Sequence, residues 1–308
     1  MVSLRDIRRR IRSTQSTKQI MHAMQLVSGS KFKRAQSRLL QGRQMLEFLD
    51  GLLQRLLAAE GRPERSRGKT APLLQHPLMR RDEGAPDALV IVTSDTGLAG
   101  SYNNNLIQLA EAELRKETAQ RTRVSFIGKR GHRYFTKRGY RAAESYLDLA
   151  GRPDLKRITA IGEALLTRFL SGEVGSVRLL YAKFVSPTVS RPTIKQWLPI
   201  SLVGSRQSAV GRERRPKGFI VHPPDYLFEP SARRVFEDLL PRWTVAVFQL
   251  VLLEAFTSEH GARMIAMKNA TDNAQEMMEG LTQQRNKIRQ ATITKELSEI
   301  VGTAEALK

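Results

Sequence analysis

The sequence predicts a mixed α+β and α/β fold: a long antiparallel coiled coil of the N- and C-terminal helices, with a Rossmann-like α/β domain of mainly parallel sheet inserted between them. Three observations predict it. All thirteen prolines lie between Pro63 and Pro241, and proline breaks helices by removing an amide donor and clashing with the preceding turn, so each flank is free to be one long helix. Both flanks carry apolar side chains at spacings of three and four, the repeat of a helix–helix seam. Between them, strand-like and helix-like runs alternate, the pattern of a parallel sheet covered by helices. At the helical rise, residues 242–304 alone make a rod of roughly 95 Å, far longer than a globular core needs.

Residues 1–62 form the first helix of this scheme. Its stripe is Leu4, Ile7, Ile11, Met21, Met24, Phe32, Ala35, Leu39, Leu46, Leu49, Leu53 and Leu56. Ser3 with Asp6 can cap its start by taking up an orphan amide. The stripe weakens at Thr14, Lys18, Gln25 and Ser28, and Ser28-Gly29-Ser30 is a poor helix sequence, so a partner must hold this stretch straight. Residues 63–87 read as a linker, 88–225 as the α/β domain and 226–308 as the C-terminal element, helical from about Ser231.

Inside the α/β domain, Ala88–Ser94 is a continuous apolar strand and Asn103–Lys116 a helical run after a Gly-rich turn. Val124–Gly128 is a second strand, followed by helix to about Lys137. Asp154 is placed to N-cap a helix ending near Gly172, and Ser176–Phe184 and Thr193–Leu198 are further strands. Val203–Gly218 is a polar basic loop without apolar period. The last helix carries Val235, Leu239, Leu250, Leu253, Met264, Met267, Ala270, Ala274, Met277, Leu281, Ile288, Ala291, Ile300, Val301 and Ala304. It is the longer of the two rods, so its end presents apolar residues that this chain cannot cover and that need a socket elsewhere.

Composition narrows the chemistry. There is no cysteine, which excludes disulfides, thiol catalysis and cysteine metal sites. The histidines at 22, 76, 132, 222 and 260 lack ligand spacing, so no metal centre is expected. The apolar patch Trp243–Phe256 is interrupted by Gln249 and Glu254 and is too short for a membrane span of about 20 residues. The Arg-rich start does not read as a targeting signal, because its apolar spacing continues past Leu57. Net charge is +21, with +9 on residues 1–62, +12 on 63–241 and zero on 242–308. That asymmetry points to a large acidic partner, nucleic acid or an acidic protein surface.

Two phosphate-like patterns fail on inspection. Gly68-Lys69-Thr70 has Pro63 where a P-loop needs its first glycine. Asp95-Thr96-Gly97-Leu98-Ala99-Gly100 leaves a strand and enters a helix, but lacks the third glycine and the ribose-binding acid of a dinucleotide site. Its glycines read as permitting a tight turn, as do those of Gly128-Lys129-Arg130-Gly131. No acid–base pair and no nucleophile set is found, so no catalytic residue and no cofactor are expected.

Several strings nevertheless resemble one family. LRDIRRRIRSTQSTKQIMHAMQLVSGSKFKRAQ, ending at Gln36, is similar to the opening helix of the gamma subunit of F-type ATP synthases. TSDTGLAGSYNNN from Thr93, PTIKQWLPI from Pro192 and YLFEPS from Tyr226 match its middle landmarks. SEHGARMIAMKNATDNA from Ser258 and RNKIRQATITKELSEIVGTAEAL from Arg285 match its closing helix. The resemblance spans essentially the whole chain in order. Departures are Thr96 and Ala99, where the family usually has arginine and cysteine, His22 for a lysine and Gly29 for an alanine. They leave open a main synthase or an alternative F-type ATPase.

The resemblance implies a rotor without an active site, turning inside a ring of three alpha and three beta subunits. An epsilon subunit and the membrane-embedded c-ring are its other partners, so membrane contact is indirect, at the cytoplasmic face of the bacterial inner membrane. It implies coupling contacts at Arg8, Arg9, Arg10, Arg12, Lys31, Lys33 and Arg34, facing an acidic beta-subunit loop. Met24 and Arg263 are implied in the same coupling region, and Arg289, Gln290, Thr294 and Glu296 at a catch loop of a beta subunit. Met24 also fits plain packing in the stripe. Charge alone supports a nucleic-acid-binding coiled-coil arm, but that reading leaves the apolar tip unexplained and lacks stacking aromatics. A nucleotide-dependent enzyme on the middle domain would need the glycine patterns that are broken.

Overall fold

The structure, a computed structural model, describes residues 4–60, 76–116, 121–149, 151, 154–201 and 228–306. The Gly68-Lys69-Thr70 string, the basic loop 203–218 and the Ser3 cap lie outside the described residues. The chain divides into two compact units, one of Met1–Phe32, Leu98–Gly100 and His260–Lys308, the other of Lys33–Gly97 and Ser101–Glu259. Two helices, α1 (Leu4–Glu60) and α5 (Ala232–Ala306), contribute to both.

The second unit is built on a five-stranded sheet in the order β3-β2-β1-β4-β5. Its strands are β1 (Asp87–Val92), β2 (Arg123–Ile127), β3 (Ala142–Tyr146), β4 (Ser176–Phe184) and β5 (Ser190–Leu198). The first four are parallel, and β5 returns antiparallel to β4. Helices α2 (Tyr102–Leu114), α3 (Lys129–Thr136) and α4 (Leu155–Leu170) connect them. The central strand β1 is apolar from Ala88 onward because helices cover both faces of such a sheet, and Ala88 through Val92 are all buried.

The local reasons are legible. Asp154 caps α4, its carboxylate accepting from the amides of Lys156 at 3.2 Å and Arg157 at 3.4 Å. The apolar run read as a strand through Ser94 stops at Val92, because Thr93 and Ser94 give their polar groups to the first turns of α3 and α2. The Gly131 amide donates to Thr93 Oγ1 at 2.9 Å, and the Ser94 amide to Asn103 Oδ1 at 3.1 Å. Strand β3 was not expected from its sequence, AAESY. It lies at the sheet edge beside β2, where half-exposed small and polar side chains suffice. Strand β5 starts at Ser190, three residues earlier than its apolar run suggests. A tight hairpin sets that start, with the Val185 amide donating to the Val189 carbonyl at 3.2 Å.

The core of this unit joins Leu53 and Leu56 of α1, Ile158 and Leu165 of α4, and Phe236, Leu240, Phe248, Leu252 and Phe256 of α5 to the apolar face of the sheet. Each fully buried large side chain contributes about 1.5–3 kcal/mol. Leu78, in the 3-10 helix Pro77–Met79, is fully buried in the same core. Helix α5 contains Pro241, which deprives the Glu237 carbonyl of its usual helical donor. By length and composition α5 is the single described helix apolar enough to cross a membrane, but 61% of its most apolar window is buried inside the protein. Burial in a core accounts for that apolarity.

Candidate coupling surface

In the first unit, α1 and α5 run antiparallel. Thr14 Oγ1 meets Met277 Sδ at 3.9 Å, and Lys18 Nζ donates to Gln275 Oε1 at 2.6 Å. A methyl group on Gly29 would lie 3.4 Å from Met264 Sδ. Two weak positions of the α1 stripe, Thr14 and Lys18, therefore make polar contacts with α5, and Ser28 is buried. The seam's apolar members are Ile7, Phe32, Met267 and Ala274, all buried. The partner needed to hold Ser28-Gly29-Ser30 helical is thus supplied within this chain.

Around that seam the residues expected to couple fall into two classes. Arg8, Arg9, Arg10, Arg12, Lys31, Lys33 and Arg34 are all exposed along α1. Met24 is half-buried, between the packing and the coupling readings. Arg263 differs from the exposed cations: its residue is only 6% accessible, and its Nη1 lies 3.5 Å from Nδ1 of buried His260. Sequence reasoning placed Arg263 with the coupling residues and missed its burial beside His260, three residues back on the same face.

Farther along α5, Arg289, Gln290, Thr294 and Glu296 are exposed. Seven residues apart, Arg289 and Glu296 share one helix face; Gln290 and Thr294, four apart, share the neighbouring one. Thr294 Oγ1 donates to the Gln290 carbonyl at 2.9 Å. Ile293, Leu297, Ile300 and Val301 are 48–65% exposed, so the end of α5 carries the uncovered apolar residues the sequence predicted.

The turn after β1 was the other candidate. Asp95 Oδ1 accepts from the amides of Lys129 at 3.0 Å and Asp148 at 3.3 Å, tying together the ends of β1, β2 and β3. A Cβ on Gly97 would stand 2.2 Å from Arg130 Nη2, and one on Gly128 would stand 2.1 Å from the Thr93 carbonyl oxygen. The glycines serve close approach of the chain to itself. Among the described residues no cluster of His, Asp and Glu could hold a metal ion.

Comparison with known proteins identifies the chain. The ATP synthase family model matches residues 3–307. An ATP synthase gamma chain of Moorella thermoacetica is 38% identical over 308 residues, covering all of both chains. The chain belongs to the ATP synthase gamma chain family. A gamma chain of Symbiobacterium thermophilum is 38% identical over 98% of this chain and 97% of its own length. Among solved structures, a chain of the Euglena gracilis mitochondrial ATP synthase, in an assembly of OSCP, F1 and c-ring, superposes with a TM-score of 0.63 at 18% identity. That match covers 99% of this gamma chain and 94% of that one. A central-stalk and c-ring structure from Tetrahymena thermophila gives a TM-score of 0.55 at 23% identity, over 82% and 99% of the two chains. At such identities the structures establish the fold, a gamma-chain fold with its mixed sheet and two terminal helices.

Proposed function

We propose that this gamma chain is the central rotor shaft of an F-type ATP synthase. In this reading it couples ion-driven rotation of a c-ring to ATP synthesis or hydrolysis at three alpha and three beta subunits, and it holds no active site itself. The observation that carries the proposal is the end-to-end match to gamma chains at 38% identity. The bacterial relatives support a place at the cytoplasmic face of the inner membrane, in a peripheral sector bound through the c-ring and an epsilon subunit. The nucleic-acid reading has only the net charge of +21 in its favour.

The physics follows from the side chains. A shaft forces chemically identical beta subunits into different states only if it is asymmetric and favours those states unequally. It must also pass each state without locking, which suits exposed cations whose ion pairs contribute about 0–1 kcal/mol each. Arg8, Arg9, Arg10, Arg12, Lys31, Lys33 and Arg34 supply such contacts, while Arg289, Gln290, Thr294 and Glu296 engage a beta-subunit loop farther along α5. Buried Arg263 acts by holding its stretch of α5 in register, and Met24 fills the seam beside the cationic row.

Purification of the assembled complex tests the role, with one copy of this chain expected for three alpha and three beta subunits. Ending the chain after Asn286 removes Ile293, Leu297, Ile300 and Val301. The truncated chain is expected to assemble but to couple weakly, seen as reduced ATP synthesis in membrane vesicles. Unchanged synthesis would show that the apolar tip does not bear on coupling.

A further inference from the structure

Within the α/β unit, one stretch of α5 makes polar contacts with five surrounding elements. Trp197 Nε1 of β5 donates to the Thr244 carbonyl at 2.9 Å. Gln249 Nε2 donates to Thr159 Oγ1 of α4 at 2.7 Å. Arg43 of α1 pairs with Glu254 at 2.7 Å. Tyr102 Oη of α2 donates to the Ala255 carbonyl at 3.1 Å. Ser258 Oγ donates at 3.0 Å to the carbonyl of Ala182 in β4, the residue registered with Pro192, which has no amide to give.

The positions matter as much as the bonds. At about 100° per residue, Thr244, Gln249 and Glu254 follow one another at roughly 140° intervals around the helix, and Ala255 and Ser258 fall between them. The grip therefore closes around α5 over roughly 21 Å of its axis. Phe248, Val251 and Leu252 are buried and closely packed in this stretch, and the hydrogen bonds add a directional restraint to that packing. Hydrogen bonds weaken steeply when misaligned, and these oppose turning from several sides. Glu254 is nearly enclosed, and the Arg43 charge beside it makes that bond one of the stronger kind. None of these groups belongs to the exposed coupling surface.

We propose that Thr244–Ser258 is the drive coupling of the rotor, the stretch where polar contacts with five surrounding elements key α5 to the α/β unit and deliver torque to it. This rests on the reading of the chain as a shaft. Tyr102, Trp197, Ser258, Thr159 and Arg43 are then positioning residues that touch no nucleotide.

The test uses the complete ATP synthase reconstituted in liposomes, carrying Tyr102→Phe, Trp197→Phe and Ser258→Ala together. The three changes delete donors and retain apolar bulk. The expected result is at least a twofold fall in ions pumped per ATP hydrolysed, and a more than fivefold fall in synthesis against an imposed ion gradient. A purely structural role would lower thermal stability and leave the pumping ratio at the wild-type value; that outcome overturns the proposal. If the triple variant does not assemble, Tyr102→Phe and Ser258→Ala are read singly, each expected to lower the ratio, and wild-type ratios in both overturn it. The ratio lost in Arg43→Glu should return in the double variant Arg43→Glu, Glu254→Arg; no return counts against the keyed pair. Failure of the unaltered chain to join alpha and beta subunits would instead refute the shaft reading itself.

Discussion

Replacing helical glycines by alanine gives a graded test of how closely the helices approach. In a helix interior the exchange stabilises by about 0.5–1 kcal/mol, because glycine loses more backbone freedom on folding. What the new methyl group meets then adds or subtracts. At Gly51 of α1 and Gly280 of α5 nothing lies within 4 Å, so each alanine should gain the full amount, about 1 kcal/mol. At Gly29 the methyl would stand 3.4 Å from Met264 Sδ, an ordinary contact with an adaptable side chain, so the gain persists. At Gly42 it would stand 3.3 Å from Leu250 Cδ1 and 3.5 Å from Leu253 Cδ1, tight enough to cancel most of it. At Gly162 of α4 it would stand 3.0 Å from Cδ1 of the fully buried Phe248. Overpacking there costs about 1–3 kcal/mol and outweighs propensity. The chain has two units and need not unfold in one step, so amide hydrogen exchange in the full-length chain is the suitable assay. A gain of about 1 kcal/mol slows exchange from the affected helix about fivefold. A stabilising Gly162→Ala, or a destabilising Gly51→Ala, would refute the reasoning.

Three further outcomes follow from single contacts. Burial holds the Asp50 carboxyl above its ordinary value of 3.8 despite the hydrogen bond from Trp243, so the fold disfavours the charged form and stability is lost as pH rises through the raised value. Asp50→Asn, which keeps the acceptor, should raise the urea midpoint at pH 7 and lose that advantage as pH falls toward 3.8; a lower midpoint at pH 7 would mean that attraction to Lys195 prevails. Gly128→Ala should destabilise by about 3 kcal/mol or more, since its φ is +100° and its Cβ would stand 2.1 Å from the Thr93 oxygen; near-normal thermal stability would contradict this. Asp154→Ala removes the α4 cap and should cost about 0.5–2 kcal/mol, read from the denaturation midpoint, with Asp154→Asn recovering most of it.

The helices and the sheet were legible because both rest on local rules. Flanks with a three-and-four repeat became α1 and α5, the latter beginning before Pro241, and the ALVIV run became a buried central strand. The sequence pattern gave no sign of β3, since an edge strand buries little and AAESY has neither branched nor regularly alternating apolar residues. At the candidate coupling surface, charge on α1 was visible directly, whereas the burial of Arg263 depends on what surrounds α5. The polar keys were hidden for a different reason. Arg43 and Glu254 stand 211 residues apart, and Tyr102 and Ala255 stand 153 apart. Backbone carbonyls serve as acceptors in several of them, and a carbonyl leaves no trace in a sequence.

The loop after β1 combines a nucleotide-like layout with a brace made by the chain's own side chains. In a sheet of this order a ligand sits beyond the carboxyl ends of the strands, near the switch between β1 and β4. There the chain places its own anion. The Asp95 carboxylate already takes the amides of Lys129 and Asp148, and the guanidinium of Arg130 lies over Gly97. A phosphate entering this place would have to displace the Asp95 carboxylate from two amides or sit beside its like charge. The same contacts bind the ends of β1, β2 and β3 into one piece. Strand order carries the layout, and the side chain at residue 95 decides that it acts as a brace.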